Sequence, residues 1–134
     1  MSAPAAAGCP CGRTDARGRA VSYDHCCARY LDHDLPAPDA EHLMRSRYAA
    51  FVRERADYLS LTWHPSTRPA DLRLEPGQKW LGLEVRAHCV IDEDHAEVEF
   101  VARSRFQGRG VRLHEISRFV RDGGRWYYLD GDMR

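Results

Sequence analysis

The sequence predicts an α+β roll with a small metal-binding arm at its N-terminal end. Three observations predict it. Apolar residues recur at helical spacing between residues 39 and 55, the periodicity changes to two after Gly77, and four of five cysteines lie within the first 27 residues. The 134 residues are 43% hydrophobic and 30% charged, which suits one foldable domain with an appendage. Twenty basic and twenty acidic side chains cancel, which argues against a general nucleic-acid or polyanion binder. No apolar run reaches the ~18 residues of a membrane span, so no membrane segment is expected.

Met1 to Gly8 is small and uncharged, without the basic start and apolar stretch of a secretory signal. It is expected to be a disordered leader (residues 1–8) on a cytoplasmic protein. Residues 9–38 hold the cysteine cluster with little periodicity and form the arm; residues 39–134 form the roll. Asp39 reads as an N-cap. After it Leu43, Met44, Tyr48, Phe51 and Val52 make one apolar stripe, with Arg45, Arg47, Arg53 and Glu54 expected in solvent. Asp57 reads as a second N-cap, opening a short helix through Trp63 that Pro65 stops. Pro65, Pro69 and Pro76 mark a loop.

Strands follow. Leu81, Leu83, Val85, Ala87, Cys89 and Ile91 alternate with polar residues and are expected to face the core, Cys89 as a small buried hydrophobe. Asp92 to Asp94 is a turn. Val98 to Phe106 alternates again, Gln107 to Gly110 is a second turn, Val111 to Val120 a third strand, and Gly123-Gly124 leads into a fourth over Arg125 to Asp130. Short turns between consecutive strands mean an antiparallel meander. A long amphipathic helix can close the concave face of such a sheet.

Cys9, Cys11, Cys26 and Cys27 are the candidate ligands of one structural Zn2+. Cys-x-Cys sets two thiolates on a tight turn, and the adjacent pair supplies two more. Four thiolates leave no open position, so the ion would be structural, replacing the apolar core that so short an arm lacks. His25 is an alternative fourth ligand in place of one cysteine. A reducing compartment disfavours disulfides.

Cys9-Pro10-Cys11-Gly12, with Tyr23 three residues before Cys26-Cys27, resembles the SEC-C zinc motif, here with a longer gap and Cys-Cys as the last pair. The remainder resembles the bacterial YchJ family of uncharacterised proteins. The strings that carry this resemblance include Leu43-Met44-Arg45-Ser46-Arg47-Tyr48, Thr62-Trp63-His64-Pro65-Ser66-Thr67-Arg68-Pro69, Val98-Glu99-Phe100-Val101-Ala102-Arg103 and Gly124-Arg125-Trp126-Tyr127-Tyr128. The resemblance implies a cystatin-like, nuclear-transport-factor-2-like roll carrying a zinc motif. It implies no activity.

Rolls of this kind often enclose a pocket between helix and sheet. Trp63, His64, Glu115 and Ser117 are its candidate lining. His64 and Glu115 are weak candidates for general acid–base work, Glu115 being as readily a structural partner of Arg45 or Arg47. His88, His95, His114 and Arg118 are expected at the surface. No nucleophile elbow, phosphate loop or dinucleotide fingerprint is present. Six arginines between Val101 and Arg121 (Arg103, Arg105, Arg109, Arg112, Arg118, Arg121), against Glu115 alone, offer a basic face for RNA phosphates or an acidic protein. The SEC-C resemblance points the same way, since the protein-translocation ATPase that ends in this motif is thought to use it to meet a chaperone and the ribosome. The favoured reading is a cytoplasmic zinc-binding interaction module near translation or protein quality control. The other is a small-molecule-binding or enzymatic roll built on Trp63, His64 and Glu115.

Overall fold

The computed structural model describes residues 8–134; of the leader expected over residues 1–8, all but Gly8 lie outside these. Gly8 is packed: a Cβ there would meet the Cβ of Ala20 at 2.7 Å.

After a short hairpin bridged at Thr14 and Ala20, a 3-10 turn (Tyr23–His25) leads into α1 (Ala28–Leu31). Asp39 then caps α2 (Ala40–Val52), its carboxylate accepting the His42 N–H at 2.8 Å. The next helix, α3 (Ala56–Leu61), departs from expectation at both ends. Its N-cap position is Arg55, and Asp57 sits in the first turn, bound to the Arg55 guanidinium at 3.0 Å. It stops before Trp63 because residues 62–64 run beside the last strand. There the Tyr128 N–H donates to the Thr62 carbonyl and the His64 N–H to the Tyr128 carbonyl, both at 2.8 Å.

Four strands, β1 (Lys79–Asp92), β2 (His95–Phe106), β3 (Arg109–Asp122) and β4 (Arg125–Met133), pair antiparallel in sequence order, as the turn spacing predicts. The inner face is clear along β2, where Val98, Phe100, Ala102 and Ser104 are all buried. Along β1 the expected alternation breaks at three bulges. Partners run Trp80↔Ser104 then Gly82↔Arg103, Val85↔Phe100 then Ala87↔Glu99, and Val90↔Ala96 then Asp92↔His95. The extra residues are Leu81, Arg86 and Ile91; Leu81 and Ile91, expected in the core, are exposed. The middle bulge also reverses the phase. Cys89 falls opposite Glu97 on the outer face and is exposed, which corrects its assignment to the core. His88, expected at the surface, falls opposite buried Val98 and turns toward α2, with Nδ1 3.8 Å from Glu41. Its Nε2 is buried without a partner.

Helix α2 is covered on two sides. Leu43, Met44 and Tyr48 pack on Val98, Phe100 and Phe119 of the sheet. Ala49 and Ala50 pack with Tyr58 and Leu59 against Tyr30, Leu31 and the four clustered cysteines. Arg47, expected in solvent, is only 5% exposed. It stands four residues from both Leu43 and Phe51, so it shares their stripe.

Two predictions follow from this arrangement. Asp39→Ala removes the cap of the central helix, with an expected loss of about 1 kcal/mol in chemical denaturation at unchanged m-value. A maleimide added to the native protein is expected to modify Cys89 alone, located by peptide mass mapping; a protected Cys89 would contradict the phase reversal.

Candidate metal centre and interior cavity

The arm brings Cys9, Cys11, Cys26 and Cys27 together, with all four sulfurs within 4.8 Å of one another. The four are buried, at most 5% exposed, and none is in a disulfide. A turn closed by the Gly12 N–H on the Cys9 carbonyl (3.0 Å) presents the first pair. Gly12 holds φ +78, in the left-handed region glycine favours. The Cys9 N–H reaches across the hairpin to the Val21 carbonyl (2.7 Å), and the 3-10 turn places Cys26 and Cys27 opposite. His25 is exposed and bound to the Ser22 hydroxyl at 2.9 Å, so it is not part of the cage.

Tetrahedral zinc with sulfurs at about 2.3 Å requires S···S edges of about 3.8 Å. The edges Cys11–Cys26 (3.6 Å) and Cys26–Cys27 (3.9 Å) straddle that value. The electrostatics agree. A hydrogen bond from Cys11 draws the Cys9 thiol down to about 7, and those from Cys11 and Cys27 bring Cys26 far below the thiol range. Cys11 is pushed up by its contact with Cys26, and Cys27 by its contact with Cys11. Crowding thus holds some of these thiols down and others up, and a divalent cation at their centre would favour the ionised form of all four. Arg13 approaches from outside, Nε 3.4 Å from the Cys26 sulfur.

The cage is fastened to the roll. Arg45 donates to the Cys11 carbonyl (2.9 Å), and Arg55 to the Leu31 carbonyl (3.1 Å) and the Asp32 carboxylate (2.9 Å). The Arg53 guanidinium lies 4.1 Å from the centroid of the Tyr23 ring, whose hydroxyl donates to Asp32.

Three of the four expected pocket residues line a cavity of about 220 Å3 between α2 and the sheet: Trp63, Glu115 and Ser117. Glu115 faces inward, its Oε2 accepting from the Ser117 hydroxyl (2.7 Å) and the Tyr128 hydroxyl (3.0 Å). Gly131 gives it room, since a Cβ there would collide with the carboxylate. Glu115 forms no ion pair with Arg45 or Arg47, contrary to expectation among the described residues. Arg45 is taken by Glu41 and the Cys11 carbonyl; Arg47 donates to the Leu59 carbonyl (2.8 Å) and the Thr62 hydroxyl (2.7 Å). Burial draws the Arg47 guanidinium down to about 10, which leaves it charged at neutral pH.

His64 does not join them. Its Nδ1 meets the Ser66 hydroxyl (2.7 Å) and backbone N–H (3.2 Å), and its Nε2 the Asp122 carboxylate (3.0 Å), pinning the loop to the β3–β4 turn. This serine–histidine–aspartate chain lies outside the cavity. Sequence reasoning missed Arg47 and Tyr128 as cavity residues; the four-residue spacing of Leu43, Arg47 and Phe51 was the available signal for the first. Of the surface histidines, His114 is mostly covered and bound to Glu99 at 2.7 Å, whereas His95 is exposed as expected.

The comparisons with known proteins agree with this architecture. The family model described as the YchJ middle NTF2-like domain matches residues 39–131. A UPF0225 protein of a Polaromonas species is 63% identical over 96% of this chain and 94% of its own. Another, from Methylibium petroleiphilum, is 60% identical over 93% and 88%. Among solved structures, a SEC-C motif containing protein from Psychrobacter arcticus superposes with TM-score 0.76 at 32% identity, over 92% of this chain and 80% of that one. A second SEC-C motif containing protein, from Rhodopseudomonas palustris, gives 0.79 at 31%, over 94% and 98%. With the roll matched by its family model and relatives identical at three positions in five over nearly the whole length, the chain belongs to the YchJ family of UPF0225 proteins.

Proposed function

We propose that Cys9, Cys11, Cys26 and Cys27 hold one structural Zn2+ and that the protein is a zinc-stabilised interaction module. The observation that carries the metal assignment is the convergence of four buried sulfurs within 4.8 Å of one another, with the Cys11–Cys26 and Cys26–Cys27 edges close to those of a zinc tetrahedron. The SEC-C motif in the names of both structural neighbours supports it. Zinc would close the cage and fix the arm, with no coordination position left for chemistry. Five unpaired cysteines support a reducing, cytoplasmic setting, and no helix among the described residues is long and apolar enough to cross a membrane.

The interaction reading rests on the outer sheet face. Three of the six arginines between Val101 and Arg121 are tied to carboxylates: Arg118 to Asp130 and Asp132, Arg121 to Asp94, and Arg103, more loosely, to Glu84 at 3.7 Å. Near the β2–β3 turn the register sets like charges directly opposite, Arg103↔Arg112 and Lys79↔Arg105. All four are exposed. Such pairs destabilise a sheet, so this edge gives up stability where an anionic partner would gain from it. The partner chemistry that suits two rows of guanidinium and ammonium groups is the RNA phosphate backbone.

Purified protein should carry about one zinc per chain by elemental analysis, and Cys11→Ser should lose it together with a large fall in Tm. Metal-free protein with an arm fully protected from hydrogen exchange would contradict the assignment. Arg112→Glu turns a like-charge pair into an opposite one, so Tm should rise slightly while binding to a single-stranded oligoribonucleotide weakens and becomes less salt-dependent. Unchanged binding, or equal competition by polyglutamate, would refute the phosphate reading.

A further inference from the structure

We infer that the cavity between α2 and the sheet is a binding site for a small zwitterion with an apolar side chain, the chemistry of a free α-amino acid. This is independent of the metal assignment and of the outer basic face. It rests on two charges of opposite sign that line one cavity without neutralising each other.

Arg47 is 5% exposed, and its hydrogen bonds among the described residues come from Nη1 alone, to the Leu59 carbonyl and the Thr62 hydroxyl. The N–H groups of Nε and Nη2 have no protein acceptor there. The guanidinium lies over two aromatic rings that meet edge to face, 4.7 Å from the centroid of Tyr128 and 5.3 Å from that of Trp63. Glu115 is likewise half-satisfied. Both hydroxyls reach Oε2, from Ser117 and Tyr128, and Oε1 has no donor among the described residues. Tyr128 joins the two charges, its ring beneath Arg47 and its hydroxyl on Glu115, so both sit at one end of the cavity. Met44, Trp80, Phe100 and Leu113 make the rest apolar.

Buried Arg47 and half-buried Glu115 therefore turn hydrogen-bonding capacity that no protein group among the described residues takes up toward one cavity, with no direct ion pair between them. A monoanion would answer Arg47 and meet Glu115; a monocation would do the reverse; an apolar molecule would answer neither. An α-amino acid carries carboxylate and ammonium on one carbon. Its carboxylate suits the planar donors of Arg47, its ammonium the open oxygen of Glu115, and its side chain the apolar end. A volume of about 220 Å3 exceeds the ~150 Å3 that admits benzene, so a side chain of leucine, methionine or phenylalanine size fits.

The test titrates the full-length protein with L-leucine, L-methionine and L-phenylalanine, read by fluorescence of the cavity tryptophans and by backbone amide shifts. Isoamylamine and 4-methylvalerate supply leucine's ammonium or carboxylate alone on a similar chain. Saturable binding of at least one amino acid, about tenfold or more tighter than either control, is expected. In Glu115→Gln, leucine should fall to the affinity of 4-methylvalerate, with 4-methylvalerate itself unchanged or tighter. That variant keeps size and hydrogen bonding, and its fold is checked by its amide spectrum; Arg47→Lys serves as a second variant, expected to weaken both carboxylates. No saturable response to any of the three up to about 10 mM, or equal binding of a singly charged control, overturns the inference. Zinc content, measured on the same samples, reports separately on the cage.

Discussion

Everything in this molecule depends on α2 being buried on both sides. One face, with Leu43, Met44 and Tyr48, packs on the concave sheet, as in any helix-on-sheet layer. The other, with Ala49 and Ala50, needs a cover that the roll does not supply. The arm supplies it, although residues 9–38 contribute few large apolar side chains beyond Val21, Tyr23, Tyr30 and Leu31. A cover so poor in hydrophobic surface cannot order itself by burial alone. The four sulfurs therefore do two jobs: they are part of the core that α2 and α3 pack against, and they are the donor set that a metal ion would clasp. Two alanines in succession let the cage come close to the helix.

Much of the fold was legible because local chemistry fixes it. Asp39 announces a helix start through an interaction spanning three residues, and the glycine-containing turns announce a meander. The cysteine spacing announces a cage for the same reason, since thiolate ligands must lie on tight turns. Strand β1 was legible only as a strand. Its face assignments failed because a single extra residue such as Arg86 reverses every side chain after it, and nothing in a period-two pattern signals the insertion. Cys89 was misplaced because it follows the Arg86 insertion, and Leu81 and Ile91 because each is itself the inserted residue of another bulge.

The cavity was half legible. Glu115 and Ser117 stand two apart on a strand whose other members on that face are Leu113 and Phe119, so their inward position could be read directly. What holds them could not. Tyr128 comes from the next strand after a register shift, Gly131 from beyond it, and Arg47 from the helix opposite. Charge misled in the case of Arg47: position on the apolar stripe decided its burial, and two acceptors, the Leu59 backbone carbonyl and the Thr62 side-chain hydroxyl, made that burial tolerable. His64 failed as a cavity residue because the segment after α3 follows β4, which turns its ring outward to Asp122.

These features place the cage and the cavity on opposite sides of one short helix, and the connection between them is mechanical. Arg45 bonds the Cys11 carbonyl, while Arg47, two residues on, reaches the cavity. Phe51 packs against the cage-side cluster and also lines the cavity, its ring 5.3 Å from that of Trp80. A close-packed helix shared by two sites cannot shift at one without moving side chains at the other. The cysteine cage is remote from the cavity's chemistry, and the packing of Ala49, Ala50 and Phe51 is what joins the two.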